Sequence, residues 1–358
     1  MFKSFRIPGR ASVLLGGQWG SEGKGAIAAA IAVKLANRGE RFDIVTTNAG
    51  AQAGHTSVYN GKTRVVFHLP TASLVARDIL GSSGTIYLNA GSIIDPKGLL
   101  REIDENDVDT KTFFVHPNAA VITPECVEAE NRESSAQTRI ASTRKGVGEA
   151  LSRKVLRSGM VASDCRELKP FISRISLNDL MSRGASVMVE VPQGVGLSVD
   201  EKFYPYCTSR NCTVAQGLSD ASIHPSFYGT TALVLRTHPI RVGNIYEGSR
   251  ILGESGGCYM DQHEVSWQEI DQKAEITTVT KRVRRVFSFS HTQAALAMRL
   301  SRPNVVCLTF CDYVKGSPSV EQLRDSILDI AEGLDMPAPE IYYQYGPTTN
   351  DLFNAPRG

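Results

Sequence analysis

The 358-residue sequence predicts an α/β fold, a single domain with a central, mostly parallel sheet flanked by helices and carrying long active-site loops. Three observations predict it. Short apolar runs alternate with segments of helical periodicity. A glycine-rich turn bearing one lysine joins the first strand to the first helix, the position where open α/β sheets bind their ligands. No repeat, low-complexity linker or sharp compositional change divides the chain over 1–358.

The elements follow in order. The first strand is expected at 11–15 and an Ala/Ile-rich helix at 24–37, with Gly39 just beyond as a stop. Further strands are expected at 42–46, 64–69, 85–88, 112–115, 186–191 and 304–310, and further helices at 124–133, 293–300 and 320–333. A hydrophobic content of 42% supports a substantial core. The net charge of +2 offers no electrostatic case for a nucleic-acid or membrane binder. No apolar run reaches transmembrane length, and the first ten residues, with Lys3, Arg6 and Arg10, lack the apolar centre of a signal peptide. Seven cysteines without a CxxC pair read as reduced thiols of a cytoplasmic enzyme, with Cys307 and Cys311 lining a buried strand end.

The run from Leu14 to Ala28, LLGGQWGSEGKGAIA, carries the chemistry. Its five glycines let backbone N–H groups approach an oxyanion, and the following helix adds a partial positive charge. This P-loop NTPase-like cradle departs from a Walker A loop, because Gly25 stands where a Ser or Thr would ligate Mg²⁺. The metal therefore needs other ligands, which argues against an ordinary GTPase or ATPase.

The run GGQWGSEGKG is similar to the signature of the adenylosuccinate synthetase family, which joins aspartate to IMP using GTP. Where the family has an aspartate, its catalytic base, this chain has Ser21. In that departure it resembles the family's phage-encoded branch, which uses dGMP. The resemblance implies that Gly20, Glu22, Gly23, Lys24 and Gly25 face the triphosphate and that Ser21, Lys24 and His55 are catalytic. His55 lies in the loop from Asn48 to Thr56 (NAGAQAGHT). Alone, such a histidine reads as an ordinary side chain satisfied by its neighbours. Beside the family's NAGHT loop, Gly54 and Ser21 become the expected Mg²⁺ ligands, and His55 supports charge on the purine O6. Gly54, His55 and Thr56 would also touch the triphosphate, while Asn48 and Gln52, the latter one methylene longer than the family's Asn, would contact the nucleotide monophosphate.

Further motifs match. The segment ASTRKGVG resembles the family's TTGRGIG loop, placing Ser142 and Thr143 on a 5′-phosphate, and Arg157 matches an arginine that reaches the neighbouring subunit's nucleotide. A homodimer with shared sites is implied. Gln193 and Thr208 preserve the family's fifteen-residue spacing and would contact the nucleotide monophosphate, and Val242 falls in a segment that resembles the family's RVG, which lies near the ribose. TTVTKRVRR resembles the aspartate loop, with Thr280, Arg282 and Arg284 as ligands, since paired guanidinium forks suit a dicarboxylate. TFCD resembles the base-reading TKxD. Asp312 is kept and Phe310 replaces Lys, which favours ATP over GTP as co-substrate; Gly346 marks a late base-contacting turn.

The implied reaction joins L-aspartate to C6 of dGMP through a 6-phosphoryl intermediate, with Mg²⁺ and ATP, in the cytoplasm of a host cell if the source is viral. A serine hydroxyl is no base without a partner. Its shorter side chain instead leaves room for guanine's C2 amino group, and its oxygen can accept from N2–H. A carboxylate could also accept from guanine, so the steric argument is the stronger one. An ordinary synthetase using IMP and GTP, and a nucleotide-binding regulator without ligase activity, are the alternatives. Nucleic acid and membrane are not expected as partners.

Overall fold

The computed structural model describes residues 2, 4–132, 135–277 and 280–357. In chain order its main elements are β1 (Ala11–Gly16), α1 (Lys24–Ala36), β2 (Ile44–Thr47), β3 (His55–Tyr59), β4 (Lys62–Val66), α2 (Thr71–Leu80), β5 (Thr85–Leu88), α3 (Pro96–Glu105), β6 (Phe113–Val115), α4 (Pro124–Asn131), α5 (Val147–Val155), β7 (Val187–Gly194), β8 (Tyr228–Arg236), α6 (His291–Ser301), β9 (Val305–Thr309), α7 (Val320–Gly333), β10 (Glu340–Gln344) and β11 (Leu352–Phe353).

A nine-stranded sheet runs in the order β11-β10-β9-β8-β1-β7-β2-β5-β6. Every neighbouring pair is parallel except β10/β11. Strand alternation divides the core between the two faces. Val13 and Leu15 pack with Val189, Leu233 and Leu235 against α6 and α7. Leu14 packs with Met188, Ala232 and Val234 against α1. The central strands are apolar on both faces because helices cover both. Helix α1 is buried on nearly every side; its many alanines allow close approach to the sheet and to α2.

The fold corrects several expectations. The run 64–69 is not a strand of the main sheet. Residues 62–66 pair antiparallel with β3, and His68 and Leu69 lead into α2. The cause is the Asn60–Gly61 turn, with φ of 47° and 72°, a two-residue hairpin turn in left-handed backbone. Strand β8, between β1 and β9, was not read, nor were β10, α2, α3 or α5. The helix expected over 124–133 ends at Asn131, and Glu133 lies outside the described residues. The seven cysteines are free thiols, and Cys307 and Cys311 are buried at β9. Among the described residues no helix is long and apolar enough to cross a membrane.

Candidate active site

Because the strands are parallel, the ends of β1, β7, β8 and β9 meet on one edge, where Gly16 pairs with both Gly194 and Val234. The turn after β1 rises from this edge in left-handed backbone at Gly20 (φ 86°), Ser21 (φ 58°) and Gly23 (φ 86°). Gly23 caps α1 without a side-chain hydrogen bond. The first N–H groups of the helix therefore have no side-chain acceptor there and can serve an oxyanion.

Glu22 holds the turn from beneath. Its carboxylate accepts from Gln18 N at 3.1 Å and Gly20 N at 2.7 Å, and takes the Lys24 ammonium at 2.6 Å. It is 0% exposed and Lys24 only 6%. A Cβ on Gly16 or Gly194 would collide with this carboxylate, so both positions need glycine. Gly25 is constrained from the other side, since a Cβ there would stand 2.6 Å from the Thr56 carbonyl oxygen and 3.0 Å from its nitrogen. The hydroxyl of a Walker A loop is missing because β3 presses against the start of α1. Gly25→Ser is therefore expected to lower the melting temperature by several degrees, through overpacking worth about 1–3 kcal/mol, and to abolish turnover. A scanning-calorimetry trace matching the wild type would refute this account.

A cavity of about 310 Å³ opens above the turn. The expected site residues Gly20, Ser21, Gly23, Lys24, Gly25, Gly54, His55, Thr56, Thr280 and Arg284 line it, with Phe310 of the base-reading motif and with Arg236, Glu275 and Thr277, which carried no assigned role. A larger cavity of about 780 Å³ adjoins it, lined by Ser142 and Thr208 among others. Gln52, Thr143, Gln193, Val242, Trp19 and Leu197 wall both. Gln193 Nε2 donates to Thr208 Oγ1 at 2.9 Å, so the fifteen-residue spacing closes into a contact. Both amide atoms of Gln52 are buried without a partner among the described residues, at the junction of the two cavities.

Other predicted residues stand elsewhere. Asn48 is buried behind the loop, donating to Asp220 at 2.6 Å. Arg282 donates to the carbonyls of Gly243 (2.9 Å), Ala141 (2.8 Å) and Ser142 (3.2 Å), stapling three loops together, and it lines neither cavity. Glu22 lies under the turn rather than in the cavity lining. Asp312 and Gly346 sit past the ends of β9 and β10, with Asp351 between them. Burial above all, with a contribution from the Asp351 charge, raises the Asp312 carboxyl, and Asp351 packs against Gly346. Arg157 is exposed with φ 60° and lines neither cavity.

The cavity is rich in cations. Arg284 donates from Nη1 to the Ser21 hydroxyl oxygen, and Arg236 forks onto Glu275. One face of the Phe310 ring is covered by the Arg236 guanidinium, 3.6 Å from the ring centroid, so a ligand base has only the remainder of that ring. Burial, and then the Lys24 charge, push His55 from 6.5 down to about 4. It is a neutral imidazole at physiological pH, able to donate a hydrogen bond without carrying charge. Among the described residues no cluster of three or more His, Cys, Asp or Glu could hold a metal ion. A Mg²⁺ bound mainly by phosphate and water needs few protein donors, and the expected ligands Gly54 and Ser21 both line the cavity.

Comparison with known proteins decides the family. Its model, described as adenylosuccinate synthetase, matches residues 13–177 and 164–323. The chain belongs to the adenylosuccinate synthetase family. These are ligases that form C–N bonds. Within the family, the chain is 34% identical to the N6-succino-2-amino-2′-deoxyadenylate synthase of Salmonella phage PMBT28, covering 96% of this chain and 97% of that one. It is 29% identical to the adenylosuccinate synthetase of Thermococcus onnurineus, over 91% of this chain and 93% of that one. Its fold superposes on cyanophage S-2L succinoaminodeoxyadenylate synthetase, solved with dGMP and with dATP as an energy donor, at a TM-score of 0.83 and 30% identity over 97% of this chain and 96% of that one. The fully ligated adenylosuccinate synthetase of Plasmodium falciparum shares the fold, with a TM-score of 0.75 at 18% identity over 96% of this chain and 99% of that one.

Sequence reasoning missed Arg236, Glu275 and the wall formed by Trp19. Arg236 closes the apolar run TTALVLR, and a charged residue at the end of such a strand was the available signal. Glu275 had no such signal, because its significance depends on Arg236.

Proposed function

We propose that this enzyme joins L-aspartate to C6 of dGMP at the expense of ATP, giving N6-succino-2-amino-2′-deoxyadenylate, ADP and phosphate. One observation carries the choice of purine. The cradle residue that is a carboxylate in the IMP-using enzymes is Ser21, and its hydroxyl faces the cavity beside Arg284. The names of the phage relatives and the dGMP in the cyanophage enzyme support the same reading.

The residues divide the work. The purine O6 attacks the γ-phosphorus as ADP leaves and the N1 proton passes to solvent; the aspartate amine then adds at C6 and loses a proton as phosphate departs. Lys24 and the N–H groups at the start of α1 meet the charge on the transferring phosphoryl group. Neutral His55 donates toward O6 as charge develops there. Ser21 Oγ accepts from the C2 amino group, and Gln52, Thr143, Gln193 and Thr208 line the way to the 5′-phosphate. Arg284 and Thr280 bind aspartate, while Arg282 holds the loops around them. Mg²⁺, when bound, neutralises phosphate charge. Phe310 favours an adenine over a guanine donor, since the lysine that packs on guanine is absent.

The working unit in this reading is a homodimer. Arg157 is exposed beside Val155 and Leu156, which are 67% and 70% exposed, and near the 41% exposed Met160. Such an apolar surface favours a partner copy, whose cavity Arg157 would enter.

The test offers dGMP or IMP with aspartate, Mg²⁺ and either ATP or GTP. Succinylated product from dGMP with ATP is expected. Turnover with IMP alone would refute the choice of purine, and no turnover with either would leave a nucleotide-binding regulator.

A further inference from the structure

Arg236, Phe310, Tyr313 and Glu275 form one connected unit on the wall of the cradle cavity. Arg236 is 1% exposed. Its guanidinium lies over Phe310, 3.6 Å from the ring centroid, with the neighbouring Tyr313 ring 5.4 Å away. Both Nη atoms reach the Glu275 carboxylate, and the Tyr313 hydroxyl donates to Glu275 Oε1 at 3.2 Å. The other side of that carboxylate faces Arg284, whose Nε stands 3.8 Å from Oε2. Arg284 in turn donates to Ser21 Oγ.

Burial works to raise the Glu275 carboxyl, yet Arg236 foremost and Arg284 after it hold it below its ordinary range. It is therefore a fixed anion. Two guanidinium groups share this single carboxylate, which leaves one positive charge uncancelled. Arg236 is buried, with both Nη atoms on Glu275 and its plane over Phe310, so the uncancelled charge is presented by Arg284, which faces the cavity from a loop. An arginine on a loop carries rotamer entropy that must be lost on binding a ligand. A carboxylate anchored in the core removes part of that loss in advance.

We infer that Glu275 is a positioning residue that aims Arg284 at Ser21 and at the carboxylate of aspartate, and that it is itself anchored by Arg236 and Tyr313. The inference rests on the ligase reading above. It assigns a role to three residues outside the aspartate loop's threonine and arginines. It also requires a lesion at Tyr313, which touches neither Ser21 nor Arg284 directly, to be felt at the aspartate site.

Steady-state kinetics of the intact enzyme with dGMP, ATP and aspartate test it. Glu275→Gln is expected to raise the aspartate KM about three- to tenfold, the scale of a partly buried ion pair that makes no direct hydrogen bond, while the dGMP KM stays close to wild type. Tyr313→Phe, which leaves the buried ion pair intact, is expected to raise the same constant about two- to fivefold. In an Arg284→Gln background Glu275→Gln should add little, because both changes remove one interaction. An unchanged aspartate KM in both single variants, or full multiplicativity in the double variant, would overturn the assignment while the wild-type enzyme remains active. A wild-type protein without turnover would remove the ligase reading and this assignment together.

Discussion

Lys24→Met is expected to lower kcat by about a hundred- to a thousandfold, the scale seen when one preorganised charge is removed from a transition state. The ammonium lines the cradle cavity and is held 2.6 Å from Glu22, so its position is set before any ligand arrives. Substitution has a second consequence. Glu22 is 0% exposed, and without its cation a buried carboxylate remains, at a cost of about 3–5 kcal/mol. Loss of activity and loss of folding would then be confused. Pairing Lys24→Met with Glu22→Gln separates them, since the double variant removes the uncompensated charge. Its melting temperature should recover most of the loss and its turnover should not. Recovery of turnover would mean that Lys24 serves only as the counter-ion of Glu22.

Ser21→Asp is expected to reduce kcat/KM for dGMP about ten- to a hundredfold, the worth of one misplaced hydrogen-bonding contact, and to spare or improve the use of IMP. The backbone tolerates the change, because Ser21 sits at φ 58° and aspartate enters left-handed geometry more readily than most residues. The new carboxylate would take Arg284 as an ion pair and occupy the room left for the guanine amine. Stability should hold within about 0.5 kcal/mol, since Ser21 is exposed. Comparing kcat/KM for dGMP and IMP in both proteins reads the effect. Equal losses on the two purines would show that Ser21 does not select the base.

The cradle was legible because its chemistry is local. Gly20, Gly23 and Lys24 stand within a few residues of one another, and a glycine-rich strand-to-helix turn restricts what the backbone can do. Helix α7 emerged at 320–333 as expected because Ser319 and Gln322 form a capping box that needs no distant partner. Strand β8 was missed although it lies beside β1 at the centre of the sheet; a run apolar on both faces has no alternation to betray it. Arg282 and Arg284, two residues apart in one basic motif, looked equivalent. The fold turns Arg282 onto three main-chain carbonyls and Arg284 into the cavity.

Taken alone, the amino-acid order determined an α/β scaffold, a phosphate-binding turn and the replacement of a carboxylate by Ser21, since each depends on residue types close together in the chain. The tertiary structure decided which cations share the cavity. Arg236 and Glu275 are 39 residues apart, and Arg284 and Ser21 are 263 apart. Parallel strands bring their ends to one edge whatever the length of chain between them, so side chains from distant segments converge there, and no local pattern records which of them will meet.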